Sequence, residues 1–475
     1  MKKNGYLAFD FGASSGRLML GTINEGTMRL EEIHRFQNEP VYAGGVFYWD
    51  VLRLFHEMKQ GLKKMALRDD VDVKAIGIDT WGVDGAWLDE NDRLLSNPVH
   101  YRDNRTNDIM GEFYNKITDE KLYDISGIQK MHFNTIYQWY YDLKTNSTIA
   151  KQGKTWLFMP DLFGFLLTGE KYNEYTIAST SAAIDAKTRE YSKELFESLD
   201  LPMDFLQKLV HPGTVVGALT EEIQTETGLG TIPVVAIGSH DTASAVAGTP
   251  LTSQNEAYLV CGTWCLMGME LDDPRISTQS LEAELTNEGG IEGKIRFLKN
   301  INGLWFLQQL RKGWNEKGHA LGFPDIIQEV LKTDHNYGVD AADPRFLAPQ
   351  DMAQEIIDYC KETYDVELST IGEVARAAYN GLAILYKKTV DSFTEITGYE
   401  IDTVRIVGGG IQDQFLCQHV ANTVGTKVLA GPVEASALGN VVMQMKAVGE
   451  IESIAQGRKM IATSFEQREY NPKVE

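Results

Sequence analysis

Two stretches far apart in the chain share one design. "YLAFDFGASSGRLML" (6–20) and "EAYLVCGTWCLMGME" (256–270) each run from an apolar strand, through a turn holding glycine and a hydroxyl, into a second apolar strand. Each is followed later by a strand that opens into a glycine-containing turn, "VKAIGIDTWGVDGAWLD" (73–89) and "VRIVGGGIQDQFL" (404–416). A hairpin made twice, with alternating strands and helices after each copy, predicts a duplicated α/β domain. The length of 475 residues agrees, because a single core rarely grows that far. Pro250 and the polar residues of "GTPLTSQN" (248–255) interrupt the pattern, so the expected domains are 1–247 and 248–475, with a cleft between them.

Composition narrows the partners. The chain has 45 Lys plus Arg against 67 Asp plus Glu, a formal charge of -22. Such a surface repels a phosphate backbone, so no nucleic-acid partner is expected, although a small anion can still be held in a local pocket. Four cysteines do not make a disulfide scaffold in a chain this long, and no Cys or His set has zinc spacing. Asp10 breaks the apolar run near the N-terminus, and no later stretch approaches 18 apolar residues. The expectation is a cytoplasmic protein with no membrane partner.

The turns suggest phosphate handling. Ala13, Ser14, Ser15, Gly16 and Arg17 place backbone N–H groups, hydroxyls and a guanidinium around one bend. A structural hairpin explains those glycines equally well. Thr263 repeats the hydroxyl in the second hairpin, and Gly408 to Gly410 let backbone approach a ligand closely. Neither a Walker motif nor a dinucleotide fingerprint occurs. Asp10 and Asp79, at strand mouths, either hold Mg²⁺ directly or through water, or merely cap turns. In "IPVVAIGSHDTASAVAG" (232–248), Asp241 stands between a buried strand and a helix start. It is either a helix cap or a general base at a strand-end cleft.

Over most of its length the chain resembles the FGGY carbohydrate kinases of the sugar kinase, hexokinase and actin superfamily. The likeness is carried by "DFGASSGRLML" (10–20), "GIDTWGVD" (77–84), "YRDNRT" (101–106), "MPDLFGFLLTG" (159–169), "HPGTVVG" (211–217) and "SHDTASAV" (239–246), and continues through "GTWCLMG" (262–268), "TNEGG" (286–290), "LKNINGLWFLQ" (298–308), "VGGGIQDQFLCQ" (407–418) and "GPVEASALGN" (431–440). The resemblance implies two duplicated ribonuclease H-like, actin-like domains around a central cleft. The N-terminal domain would carry the sugar site and base, and the C-terminal domain most of the nucleotide site.

It further implies ATP and Mg²⁺ as cofactors, a small ketose as acceptor, and a monomer or weak homodimer. Asp241 would take the proton of the acceptor hydroxyl; Gly82, His240, Asp241, Thr242 and Asn300 would bind the sugar. Ala13, Ser14, Ser15, Gly16, Arg17, Thr263, Gln308 and Gly410 would hold ATP, with Asp10 near the metal. "GASSGR", "IDTWGVD" and "SHDTASAV" together point to the branch acting on the 1-hydroxyl of L-rhamnulose. L-Fuculose or another deoxy-ketose is the neighbouring alternative, and an actin-like, non-metabolic ATP-binding protein a more distant one. One departure stands out: cysteines at 261 and 265 replace the serine that related kinases often place beside this hairpin. The aromatic run "MHFNTIYQWYYDL" (131–143) reads as a core helix or a sugar-pocket wall, and His132 and His211 as structural.

Overall fold

The structure, a computed structural model, describes residues 2–145, 147–347 and 349–473. The chain divides into two compact units. The first comprises Met1–Pro250, Glu270–Phe297 and Glu434–Phe465; the second comprises Leu251–Met269, Leu298–Val433 and Glu466–Glu475. Two segments beyond residue 248 thus pack with the first unit.

In the first unit, β1 (Lys3–Phe11), β2 (Ser15–Asn24), β3 (Thr27–Gln37), β4 (Val71–Asp79), β5 (Thr214–Ala218) and β6 (Pro233–Ala236) form one sheet in the order β5-β6-β4-β1-β2-β3. β1 pairs antiparallel with β2 and parallel with β4; β4 is parallel to β6, which is antiparallel to β5. Strands β1 and β4 are buried on both faces, which is why they read as nearly continuous apolar runs. Alternate residues divide between two cores. Leu7 and Phe9 meet Leu54, Met58 and Leu62 of helix Val51–Ala66, whereas Tyr6 and Ala8 meet Leu438, Val441 and Val442 of helix Ala435–Ala447.

The second unit repeats the scheme with β7 (Glu256–Cys261), β8 (Cys265–Leu271), β9 (Thr403–Val407), β10 (Lys427–Ala430) and β11 (Arg468–Tyr470). β7 is antiparallel to β8 and parallel to β9, β9 is parallel to β10, and β10 is antiparallel to β11. These four relations repeat those of β1–β2, β1–β4, β4–β6 and β6–β5 in the first sheet, as expected of a duplicated α/β domain.

Helix Asp241–Gly248 crosses helix Ala435–Ala447 inside the first unit at two glycines. A Cβ on Gly439 would stand 1.8 Å from the Ser244 carbonyl oxygen, and one on Gly248 would stand 2.1 Å from that of Ala435. No side chain fits between these backbones. The aromatic run is a core helix: Ile136, Tyr137, Trp139 and Tyr140 on helix Thr135–Thr145 are fully buried.

Candidate active site

The C-terminal edge of the first sheet gathers three acids. Asp10, near the end of β1, lies in register with Asp79, the last residue of β4. Just beyond, Thr80 N–H donates to the Ser239 carbonyl (2.9 Å) and its own carbonyl accepts from Asp241 N–H (2.8 Å). These bonds place Asp241 at the first turn of helix Asp241–Gly248, with His240 in the cap position making no side-chain cap bond. The Asp241 carboxylate, one residue inside the helix, takes up an open N–H of its first turn. Its Oδ1 accepts from the adjoining Thr242, from N–H at 2.6 Å and from the hydroxyl at 3.2 Å. Among the described residues Oδ2 accepts no hydrogen bond, and the side chain is 31% exposed.

Charge at this edge is crowded. Burial, then the Asp10 charge, pushes the Asp79 carboxyl well above the usual range, while a bond from Asn440 Nδ2 (2.6 Å) opposes them. Burial also raises Asp241; His240 opposes it, Asp10 adds to it, and the Thr242 bonds oppose it again. Arg17 offsets part of the charge by forking between Asp10 (2.5 Å) and Glu434 (2.6 Å). The Oδ1 oxygen of Asp79 is buried with no hydrogen-bond partner. A repelling pair of carboxylates with a spare oxygen suits a hard cation. Among the described residues no three acidic, His or Cys side chains form a metal cage. Mg²⁺ needs none, since it keeps waters and takes phosphate oxygens, so the donor set fits this ion.

The turn between β1 and β2 is closed by its own backbone. Gly12 N–H donates to the Ser15 carbonyl (2.9 Å), and Asn38 holds the turn from both sides, its amide NH₂ on the Gly12 carbonyl and its N–H on that of Ser14. Ala13 and Ser14 are exposed at the tip, Ser15 is half-buried, and Gly16 is buried beneath Phe36.

Gly82 lies beside His240. A Cβ at Gly82 would approach His240 Nε2 to 3.2 Å, so a side chain here would crowd the edge that faces Asp241. Val83 follows at φ 67°, a conformation that costs a β-branched residue about 1–3 kcal/mol. Hydrogen bonds impose it: Val83 N–H donates to Thr180 Oγ1 (3.1 Å), and its carbonyl accepts from Thr135 Oγ1 (2.6 Å). Asp84 then anchors the loop. It accepts from Trp49 Nε1 (2.7 Å), Trp81 Nε1 (3.1 Å), Tyr101 N–H (3.1 Å) and Gln138 Nε2 (3.2 Å). Full burial nevertheless pushes it up to about 6, against those bonds.

In the second unit, Thr263 occupies the tip of the β7–β8 hairpin and exchanges hydrogen bonds with Gln308 at 3.2–3.3 Å. Gly410 is buried against this hairpin, where a Cβ would stand 2.3 Å from Cys261 Sγ. Gly409 is the exposed member of the triplet. Cys261 and Cys265 are free thiols facing each other across the strand pair, Sγ to Sγ 3.4 Å. Asn300 is half-buried on strand Ile295–Ile301.

Within the first unit the structure therefore brings together Asp10, Arg17, Gly82, His240, Asp241 and Thr242; within the second it joins Thr263, Gln308 and the glycine triplet. The anchoring residues Asp84 and Asn440 were not assigned roles from sequence, although both fall in the motifs quoted above.

Two units of this α/β, ribonuclease H-like design, the first with acids at its strand ends, define a sugar-kinase fold. The chain belongs to the FGGY family of carbohydrate kinases: residues 5–248 match the family's N-terminal domain and residues 257–448 its C-terminal domain. Among its relatives is a rhamnulokinase of Halalkalibacterium halodurans, 41% identical over 98% of each chain. Another is a rhamnulokinase of Bacteroides thetaiotaomicron, 39% identical over 99% of this chain and 96% of its own. A gluconate kinase structure from Lactobacillus acidophilus superposes with a TM-score of 0.84, covering 99% of this chain and 94% of the other at 16% identity. It shows the fold.

Proposed function

We propose that this carbohydrate kinase transfers the γ-phosphoryl group of ATP to the 1-hydroxyl of L-rhamnulose, giving L-rhamnulose 1-phosphate and ADP in L-rhamnose breakdown. The single observation that carries the chemistry is Asp241. Its carboxylate stands at a strand end with one oxygen fixed by Thr242 and the other unengaged among the described residues. The rhamnulokinase relatives, matched over nearly their whole length, carry the choice of sugar.

In phosphoryl transfer the protein mainly positions and stabilises charge. The ketose hydroxyl donates to Asp241 Oδ2, and that carboxylate takes the proton as the oxygen attacks phosphorus. The raised basicity of Asp241 helps this step. His240 borders the base, and Gly82 packs against the His240 ring where a Cβ would press on it. Ala13 to Arg17 and Thr263, Gln308 and Gly410 are the nucleotide-binding residues in this reading. Asp10 and Asp79 would hold Mg²⁺, directly or through water, and the ion when bound offsets phosphate charge. A cytoplasmic location fits an enzyme that draws on ATP; no helix among the described residues is long and apolar enough to cross a membrane.

The test is ATP turnover against free ketoses. L-Rhamnulose should show a higher kcat/KM than L-fuculose, because a misplaced hydroxyl leaves a buried partner unmet. Equal values would remove the narrower assignment and keep the kinase class. Absence of saturable turnover with every ketose would remove the sugar-kinase reading of Asp241.

A further inference from the structure

His240 is not packed against neutral atoms on its inner side. Arg296, on strand Ile295–Ile301, is fully buried at 0% exposure, and its Nη2 lies 3.1 Å from His240 Nδ1. The same Nη2 is 3.0 Å from Glu288 Oε2, and Nε donates to the Gly289 carbonyl at 2.8 Å. Nη1 is buried without a hydrogen-bond partner. All four residues lie in the first unit. A buried ion pair is a weak device for stability, since hydrophobic residues of similar volume often serve as well. A guanidinium with a donor left over is more costly still. Its placement therefore calls for another role.

Arginine has five N–H donors and no acceptor. Nitrogen Nδ1 of His240, with Arg296 as its nearest polar neighbour, must therefore accept. The ring proton then resides on Nε2, the edge that faces Gly82 and lies 3.4 Å from Asp241 Oδ1. Glu288 Oε2 lies 3.4 Å from Nδ1 and would favour the opposite tautomer, but its 3.0 Å approach to Arg296 Nη2 is a charge contact, whereas the hydrogen bond of Nη2 is directed at Nδ1. We propose that Arg296 is the positioning residue that holds His240 in its Nε2–H tautomer, so that His240 presents a donor to the sugar and to the catalytic carboxylate. With the other tautomer, a lone pair on Nε2 would face the Asp241 carboxylate and the base would be pushed aside. The inference rests on the sugar-kinase reading of Asp241 for its consequence, while the tautomer itself can be read without any sugar.

The experiment uses the full chain with ¹⁵N-histidine, His240 resonances being assigned by their loss in His240→Gln. In the parent, Nε2 should carry the proton and Nδ1 should not. Arg296→Lys keeps a donor-only group and should retain that tautomer and kcat/KM for the ketose within roughly tenfold. Arg296→Met leaves Glu288 to accept from Nδ1–H; the tautomer should reverse and ketose kcat/KM should fall on the order of 10²-fold, with the KM for ATP changed little. Should Arg296→Met not fold, the double change Glu288→Leu with Arg296→Met removes both buried charges and should show two averaged tautomers. A parent with Nδ1 protonated, or an Arg296→Met or double variant with Nε2–H intact and kcat/KM unchanged, overturns the proposal. A parent that turns over no ketose overturns the functional reading instead, and the nitrogen signals still decide the role of Arg296.

Discussion

The two hairpins at the starts of the two units have the same backbone plan and opposite chemistry. The β1–β2 hairpin is flanked by charge: Asp10 and Arg17 pair across it, Glu434 holds Arg17, and Asp79 stands alongside. The β7–β8 hairpin is neutral around its turn, with two thiols across its neck and Thr263 bonded to Gln308 at its tip. Duplication preserved the turn and released the side chains. The acidic copy can manage cation and proton; the neutral copy can offer hydroxyl and backbone groups to a ligand. Changes at the acidic edge should therefore alter turnover and metal demand, and changes at the neutral hairpin should alter nucleotide affinity.

The largest expected effect is at the acidic edge. Asp241→Asn keeps the shape and the Thr242 contact but cannot take a proton, so kcat should fall roughly 10²- to 10⁴-fold with melting temperature and ATP affinity little changed. Turnover within a factor of three of the parent would remove Asp241 from the catalytic role. Asp10→Asn comes next: it removes one of two adjacent charges, and the Mg²⁺ concentration for half-maximal rate should rise about tenfold, about 1.4 kcal/mol. An unchanged magnesium titration would erase the distinction between the hairpins.

A similar magnitude is expected from pH. The folded Asp84 carboxyl is pushed up to about 6, above its ordinary 3.8. Between those values the folded state binds more protons than the unfolded one, so this group's stabilisation is present at low pH and is lost as pH rises through 6. From pH 5 to pH 7 the parent should lose about 1.3 kcal/mol relative to Asp84→Asn, measured by urea unfolding of both proteins. A constant difference would show Asp84 ionised throughout. The smallest effect belongs to the neutral hairpin: Thr263→Ala should raise the KM for ATP severalfold, about 1 kcal/mol for one hydroxyl, with kcat nearly unchanged. A loss confined to kcat would overturn the assignment of nucleotide affinity to this hairpin.

The hairpins and the strands that follow them were legible because apolar alternation and glycine turns are local signals, and Asp241 was legible as an acid at a strand-to-helix junction. What no local pattern specifies is how its two oxygens divide: His240 takes the cap position, Asp241 Oδ1 accepts the first-turn N–H of Thr242, and Oδ2 stays unengaged among the described residues. The supporting residues were not legible. Asn440 reaches Asp79 across 361 positions, and Arg296 sits between Ile295 and Phe297 in a strand where alternation predicts an exposed charge. Their roles arise from tertiary packing, which brings together segments whose sequences carry no mark of each other.

The glycine crossing between helices Asp241–Gly248 and Ala435–Ala447 has a consequence for protein engineering. The first helix is about 12 Å long, so Gly248 sets the angle at which Asp241 is presented from a full helix length away. The second helix also carries Asn440, whose bond fixes Asp79, so one contact gauges the base against the neighbouring acid. A displacement of about 1 Å at that contact is enough to cost on the order of 10²-fold in rate. Libraries aimed at a new acceptor sugar should therefore recover only glycine at 248 and 439, however far those positions lie from the sugar. Sequencing active clones would show whether heritable freedom follows this gauge or follows distance from the chemistry.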